Sequence, residues 1–273
     1  GYYRFAVHKY GGSFLCYVNP GQVIAFHCSD ISTGAGVWYV SGGEVDQVYS
    51  GNTAEVLNAV DSRYIAVAML SSTKAICAFR NNSTTYLNAV VVNYGSASGA
   101  TSAVNAEASL DISIAAQTST QATVVYKTST GATKAYVLDV SGTTITPGSV
   151  ASVDAGTGGS GTSITALSST QLLCAYQGGA AGTPRMRVFD ISGSTITASS
   201  EVAADATAAA ATYIKVRKIS SSKAVVAFRN NTGNKPQIRL QSITGSTPAP
   251  TGSVLDISAT PGTTPATALG IAV

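Results

Sequence analysis

The chain has 273 residues and a formal net charge of +3; 45% of it is hydrophobic and 11% is charged. Val and Ile together number 43 against 14 for Leu and Met, a bias toward pleated strands and away from helices. These figures exclude a helical or α/β enzyme, a highly charged disordered chain and a nucleic-acid-dominated surface, and the longest apolar run (residues 64–70) is far short of the roughly 20 residues a membrane helix needs.

In chain order, residues 3–10 read as a first strand and residues 13–17 (SFLCY) as a second that ends on Tyr17. Residues 23–26 supply a third strand, and Trp38 and Tyr39 sit on an outermost fourth. The same unit then returns. Residues 64–70, 72–79 (STKAICAF) and 87–92 form the next copy. Residues 119–126 (STQATVVY), 135–138 and 143–146 follow. Next come residues 163–167, 169–176 (STQLLCAY), 186–189 and 194–197. The Ala-rich run 203–211 reads as a connection, and residues 213–219, 221–228 (SSKAVVAF) and 237–240 open the last copy. Residues 267–273 resemble a first strand once more.

The closing aromatics Tyr17, Phe79, Tyr126, Tyr176 and Phe228 are 62, 47, 50 and 52 residues apart. Four short strands per period of about 50 residues is the arithmetic of a propeller blade. The predicted fold is all-β: one repeat domain, a β-propeller of about five four-stranded antiparallel blades at residues 1–48, 49–105, 106–155, 156–205 and 206–273. An open β-repeat array or solenoid is the alternative. One such sheet cannot cover both of its faces; stacked neighbours can.

Catalytic chemistry is thin. Both histidines, His8 and His27, fall in strand patterns, no G-x-S-x-G is present, and Glu44/Asp46 is the closest acid pair before a long connection. A sialidase-like arginine cluster is absent from the first 60 residues, which hold only Arg4. The sequence therefore reads as non-enzymatic, without a cofactor. Cys16, Cys28, Cys77 and Cys174 form no C-x-x-C, so no metal site is expected. They read as small buried hydrophobes, with a Cys16–Cys28 bridge as the alternative. Asp139 and Asp190 precede tight turns and read as local Asx hydrogen bonds that set a hairpin, not as calcium ligands.

The candidate ligand-binding residues are Arg80, Asn81 and Asn82 with Tyr86, Arg229, Asn230 and Asn231, and the pair Trp38 and Tyr39. Arg and Asn present paired donors and acceptors to sugar hydroxyls or carboxylates, and aromatic rings stack on sugars. Ordinary turn chemistry is the competing reading of the Arg-Asn-Asn loops, and partial core burial that of Trp38. Asn81–Ser83 and Asn230–Thr232 also match the N-glycosylation triplet. Residues 215–239 hold seven basic side chains and no acid, which reads as a solvated strand face, with an anionic partner as the alternative.

The phrases SSKAVVAFRNNTG (221–233) and VFDISGSTIT (188–197) carry a resemblance. Small-residue turn, apolar strand, aromatic, polar loop, strand and D-[IV]-S-G-[ST]-T-I-T together resemble the degenerate repeats of bacteriophage virion proteins of tail-fibre and appendage type. The resemblance spans nearly the whole chain, although the first copy lacks the Ser-Thr turn before Phe14. It implies propeller-like folding and a structural protein on a virion surface or in an extracellular setting. The implied partners are other virion or fibre proteins, further copies of the chain, and a host-surface glycan, with no nucleic acid and no membrane insertion. A self-assembling extracellular fibre or sheath subunit and a secreted carbohydrate-active protein are the alternatives.

Overall fold

The computed structural model describes residues 61–93, 98–154, 161–179, 181–205 and 210–257, and, as backbone only, four strands near the start of the chain. The chain divides into two compact units, Gly1–Val56 and Leu57–Val273. In the first, β1 (Phe5–His8) pairs antiparallel with β2 (Phe14–Val18), and β3 (Ala25–Asp30) with β4 (Val37–Ser41). Trp38 and Tyr39 lie on β4 opposite Cys28 and His27. The side chains of these residues and of His8, and the pair Glu44/Asp46, lie outside the described residues.

Among the described residues the second unit holds four successive blades. The first consists of β5 (Ser62–Met69), β6 (Lys74–Asn81), β7 (Tyr86–Asn93) and the opening part of β8 (Ser102–Thr118). From Ser109 onward β8 crosses over to become the inner strand of the second blade. There it pairs with β9 (Gln121–Thr128), followed by β10 (Thr133–Ser141) and an outer edge split into β11 (Thr144–Pro147) and β12 (Ala151–Asp154). The third blade repeats this with β13 (Thr162–Ala166), β14 (Gln171–Gly178), β15 (Thr183–Ser192), β16 (Thr195–Ala198) and β17 (Val202–Ala203). The fourth is β18 (Ala211–Ser220), β19 (Lys223–Asn230), β20 (Lys235–Thr244) and β21 (Thr247–Asp256). Each is the antiparallel, four-position sheet of a propeller blade. The split outer edges and the continuous β8 are features that strand patterning alone does not reveal.

The second strands of the two middle blades are covered on both faces, as their unbroken apolar sequence requires. Residues 122–128 of β9 and 172–178 of β14 are all buried. Phe79, Tyr126, Tyr176 and Phe228 are buried at the end of their blades' second strands, and Cys77 and Cys174 are free and buried along them. Three apolar layers follow one another between consecutive blades. Val91, Val137 and Val188 occupy one register position on the third strand and are fully buried. Leu240 holds that position in the fourth blade and is 54% exposed. Conversely, Ile214 and Val216 are buried against the third blade, whereas Ile65 and Val67, their counterparts on β5, are 62% and 59% exposed. Blade-to-blade packing is thus what removes these side chains from water, at about 1.5–3 kcal/mol per fully buried aliphatic side chain.

Asp139 and Asp190 do not make the local Asx bond expected of them. Asp139 accepts from Gln121 Nε2 of its own blade at 2.8 Å and from the hydroxyl of Ser194 in the next. Gln121 Nε2 also donates to the Gly193 carbonyl at 3.1 Å. The same clasp recurs one blade later: Gln171 reaches Asp190 at 2.9 Å and the Gly245 carbonyl at 3.1 Å, and Ser246 donates to Asp190. The turn that each clasp grips has glycine at its first central position, Gly193 at φ 56° and Gly245 at φ 57°, as a two-residue type II′ hairpin demands. The recurring D-[VI]-S-G phrase therefore joins neighbouring blades. Asp139→Ala should cost about 2 kcal/mol, because it leaves two donors unpaired in a part-buried seam. A denaturant titration showing no loss would contradict the clasp.

The inner strands are edges, and edges need partners for their outward N–H groups. Neighbouring hydroxyls provide them: Ser113 Oγ accepts from Ile164 N at 3.2 Å and Ser163 Oγ from Val216 N at 3.0 Å.

Candidate functional site

Strand alternation sorts the chemistry to one end of the blades. The loops after the second strands and the joins between blades open on that end; the Ser/Thr/Gly turns and the clasps occupy the other. The carboxylates in ion pairs among the described residues lie at this end: Asp61 heads β5, and Glu107, Glu201, Asp205 and Asp256 lie on an outer strand or a join. Glu107 is the most connected. It accepts from the Tyr126 hydroxyl at 2.6 Å and from Lys134 Nζ at 2.9 Å on both oxygens. Burial by itself would raise its pKa, but the Tyr126 and Lys134 hydrogen bonds and the Lys134 charge reverse this and hold the carboxyl below its ordinary 4.5. A depressed folded pKa means a stabilisation complete above the unfolded value and lost as pH falls through the folded one. Urea midpoints measured from pH 7 down to pH 3 should fall more steeply in the native chain than in Glu107→Gln.

At the residue after each buried aromatic the four blades carry Arg80, Lys127, Gln177 and Arg229. Facing three of them, the inner strand bulges and holds a non-glycine residue in the left-handed region: Tyr64 at φ 54°, Asp111 at φ 47° and Tyr213 at φ 55°. Blade 3 has no such bulge; Gly161, at φ 118°, accepts from Gln177 N at 3.2 Å. A tyrosine in this region costs about 1–2 kcal/mol. Both tyrosines are exposed.

In the fourth blade the Arg229 guanidinium carbon stands 5.8 Å from the centre of the Tyr213 ring, and Nη2 donates to Asn234 Oδ1 at 2.9 Å. Asn231 Oδ1 accepts from Thr212 Oγ1 at 3.1 Å, and its backbone N–H donates to the Ala210 carbonyl. In the first blade Arg80 pairs across the sheet with Arg63, next to Tyr64. Asn82 Nδ2 donates to Asp61 Oδ2 at 2.8 Å, and its backbone N–H donates to the Asp61 carbonyl. Tyr86, at the head of β7, is exposed.

The first asparagine of each loop is turn chemistry. Asn81 Oδ1 accepts from Ser83 N at 3.0 Å and Asn230 Oδ1 from Thr232 N at 3.0 Å, closing Asx turns. The second asparagine is anchored toward the inner strand. Tyr64 and Tyr213 were not among the residues singled out from the sequence. Their signal was there: Tyr-Ile recurs at an offset of 149 residues, the same offset that separates Phe79-Arg-Asn-Asn from Phe228-Arg-Asn-Asn.

The middle blades close the same position. Lys127 is buried, and its Nζ donates to the Gln177 carbonyl at 3.0 Å. Burial lowers its pKa, with Asp111 and Asp154 pulling the other way. Gly161 N donates to Asp111 Oδ2 at 3.2 Å. The Tyr–Arg contact is thus observed in the fourth blade, and the first blade carries the same residue types, Tyr64 and Arg80, at the equivalent positions. Among the described residues, no cluster of three or more His, Cys, Asp or Glu side chains could hold a metal ion.

No family model matches the sequence, and no curated protein does. Among solved structures, the chain is similar to a fucose-specific lectin from Aleuria aurantia at 13% identity, covering 72% of this chain and 65% of that one with a TM-score of 0.47. It is also similar to an arginine-to-alanine triple mutant of AofleA from Arthrobotrys oligospora, at 13% identity, 71% and 57% coverage and a TM-score of 0.48. A third is a fungal lectin described as a six-bladed β-propeller with a fucose recognition mode, at 16% identity, 80% and 70% coverage and a TM-score of 0.41. The chain spans less than two thirds of the length of the first two.

Proposed function

We propose that the chain is a non-enzymatic carbohydrate-binding protein that takes a sugar at each of two repeat-related sites, Tyr64/Arg80/Asn82 and Tyr213/Arg229/Asn231. The observation that carries this reading is the pair of exposed tyrosines held in a costly left-handed conformation at the bulge opposite an arginine, one of them with its ring against Arg229, in the two blades that share the Phe-Arg-Asn-Asn loop. Strained residues persist where their placement serves a ligand or the surrounding structure over-determines them. An aromatic face stacks on the C–H face of a sugar ring, and the guanidinium and amide beside it match neighbouring hydroxyls. The test is a glycan array followed by calorimetric titration of the best ligand: two equivalents should bind per chain, and binding confined to neither site would overturn the reading.

The repeat pattern supports display of this activity on a virion or another extracellular appendage, with fibre or virion proteins as neighbours. Peptide mapping of purified particles tests that placement. A second reading, a self-assembling fibre or sheath subunit, draws on the uncovered Ile65, Val67 and Leu240 at opposite ends of the blade series. A concentration-independent monomer mass by light scattering would dispose of it.

A further inference from the structure

The sites of the first and fourth blades are not identical, and they differ beside the residues they share. An offset of 149 residues carries Tyr64, Arg80 and Asn82 onto Tyr213, Arg229 and Asn231. It also carries Arg63 onto Thr212 and Thr85 onto Asn234. The backbone keeps this correspondence. Arg63 stands directly opposite Arg80 as Thr212 stands opposite Arg229, and Thr85 and Asn234 both lie in the left-handed region, at φ 66° and φ 52°.

These two exchanges change what surrounds the shared arginine. Arg229 Nη2 donates to Asn234 Oδ1 at 2.9 Å, and its guanidinium lies against the Tyr213 ring. Thr85 has no amide to offer Arg80. Among the described residues the Arg80 guanidinium has no hydrogen-bond or ion-pair partner, and its Nε is buried. A buried donor without an acceptor is unfavourable, the more so when it is charged. Arg63 adds a second guanidinium on the same face, since directly opposite strand residues share a face with Cβ atoms about 4.5–5.5 Å apart, and like charges so placed repel. The carboxylate beside them is Asp61, 3.7 Å from Arg63 Nε, with both side chains 61% exposed. An ion pair so open to solvent is weak, and Asp61 Oδ2 also accepts from Asn82 Nδ2 at 2.8 Å. The first blade therefore holds two neighbouring guanidiniums where the fourth holds one, already engaged by Asn234. A guanidinium offers a carboxylate two parallel, charge-assisted hydrogen bonds.

We propose that the first-blade site selects sugars that carry a carboxylate, the uronic and sialic acids, and that the fourth-blade site does not. This rests on the two-site sugar reading and adds a ligand class to it. Calorimetric titration of the full chain with matched pairs tests it: methyl glucuronide and methyl glucoside, methyl galacturonide and methyl galactoside, sialyllactose and lactose. In Tyr213→Gly, which keeps the first-blade site, the acidic member of the best-binding pair should bind at least tenfold more tightly than the neutral one, and the ratio should shrink as salt is raised. Arg229→Ala serves the same purpose should Tyr213→Gly fail to fold. In Tyr64→Gly, which keeps the fourth-blade site, the two members should bind within about threefold of each other. Arg63→Thr should bring the first-blade ratio down to that of the fourth, and Thr212→Arg should raise the fourth-blade ratio. A first-blade ratio near one, or one unchanged by Arg63→Thr, overturns the selection and leaves the sugar sites standing. Absence of binding by every pair at both sites overturns the two-site reading, and the selection with it.

Discussion

Gly148→Ala is expected to destabilise the blade series by about 3 kcal/mol or more, among the largest effects any single methyl group would have in this chain. A Cβ at Gly148 would stand 2.2 Å from the Ser194 carbonyl oxygen and 2.8 Å from its Cβ. Backbone cannot yield as the tip of a flexible side chain can. Ser194 is also the residue whose hydroxyl reaches Asp139, so pushing it aside breaks the clasp together with the close approach. The two losses share one seam and are not additive. At roughly 2–4 °C per kcal/mol for a unit of this size, the unfolding midpoint should fall by about 6–12 °C. Gly233→Ala is the control: its nearest foreign atom would be Lys235 Cγ at 3.6 Å, so a shift within about 0.5 kcal/mol is expected. Gly99→Ala should behave like Gly148→Ala, since its Cβ would meet the Thr143 carbonyl at 2.6 Å. Equal midpoints for Gly148→Ala and Gly233→Ala would show that the seam is not a tight one.

These seams mark how far sequence alone could reach. The second strands were legible because a strand covered on both faces must be apolar at nearly every position, and β9 and β14 are. The two-residue hairpins were legible because glycine in Asp-Val-Ser-Gly and Asp-Ile-Ser-Gly marks a backbone that only glycine adopts cheaply. What those aspartates touch was not legible, since Ser194 and Ser246 are more than fifty residues away and belong to the next blade. Nor was the bulge on the inner strands, because one extra residue leaves no mark in a two-residue alternation. The same limit hid Tyr64 and Tyr213: alternation predicts which face a side chain takes, not that the backbone beneath it turns left-handed. For the candidate site, the arginines were visible as part of a repeated polar loop. Their aromatic partners were assigned to the apolar strand that follows them.

Tyr213→Gly separates a functional tyrosine from a structural one. Glycine adopts φ 55° without penalty, so the replacement removes about 1–2 kcal/mol of strain. It also removes the ring beside Arg229, a contact worth about 0.5–1 kcal/mol at an exposed position. These contributions nearly cancel, and the unfolding midpoint should stay within about 4 °C of the parent. Sugar binding at the fourth blade should fall at least tenfold, about 1.4 kcal/mol, because the stacking face is gone. The titration should then count one site instead of two. Tyr64→Gly should do the same at the first blade, and the double variant should bind nothing while remaining folded. Arg80→Ala and Arg229→Ala should lose binding at their own blades, which ties the loss to the pair and not to the ring alone. If the strain served only to shape the bulge, glycine at 64 and 213 would leave both sites at full affinity. The tyrosines would then be a by-product of the repeat, and the carbohydrate reading would fall.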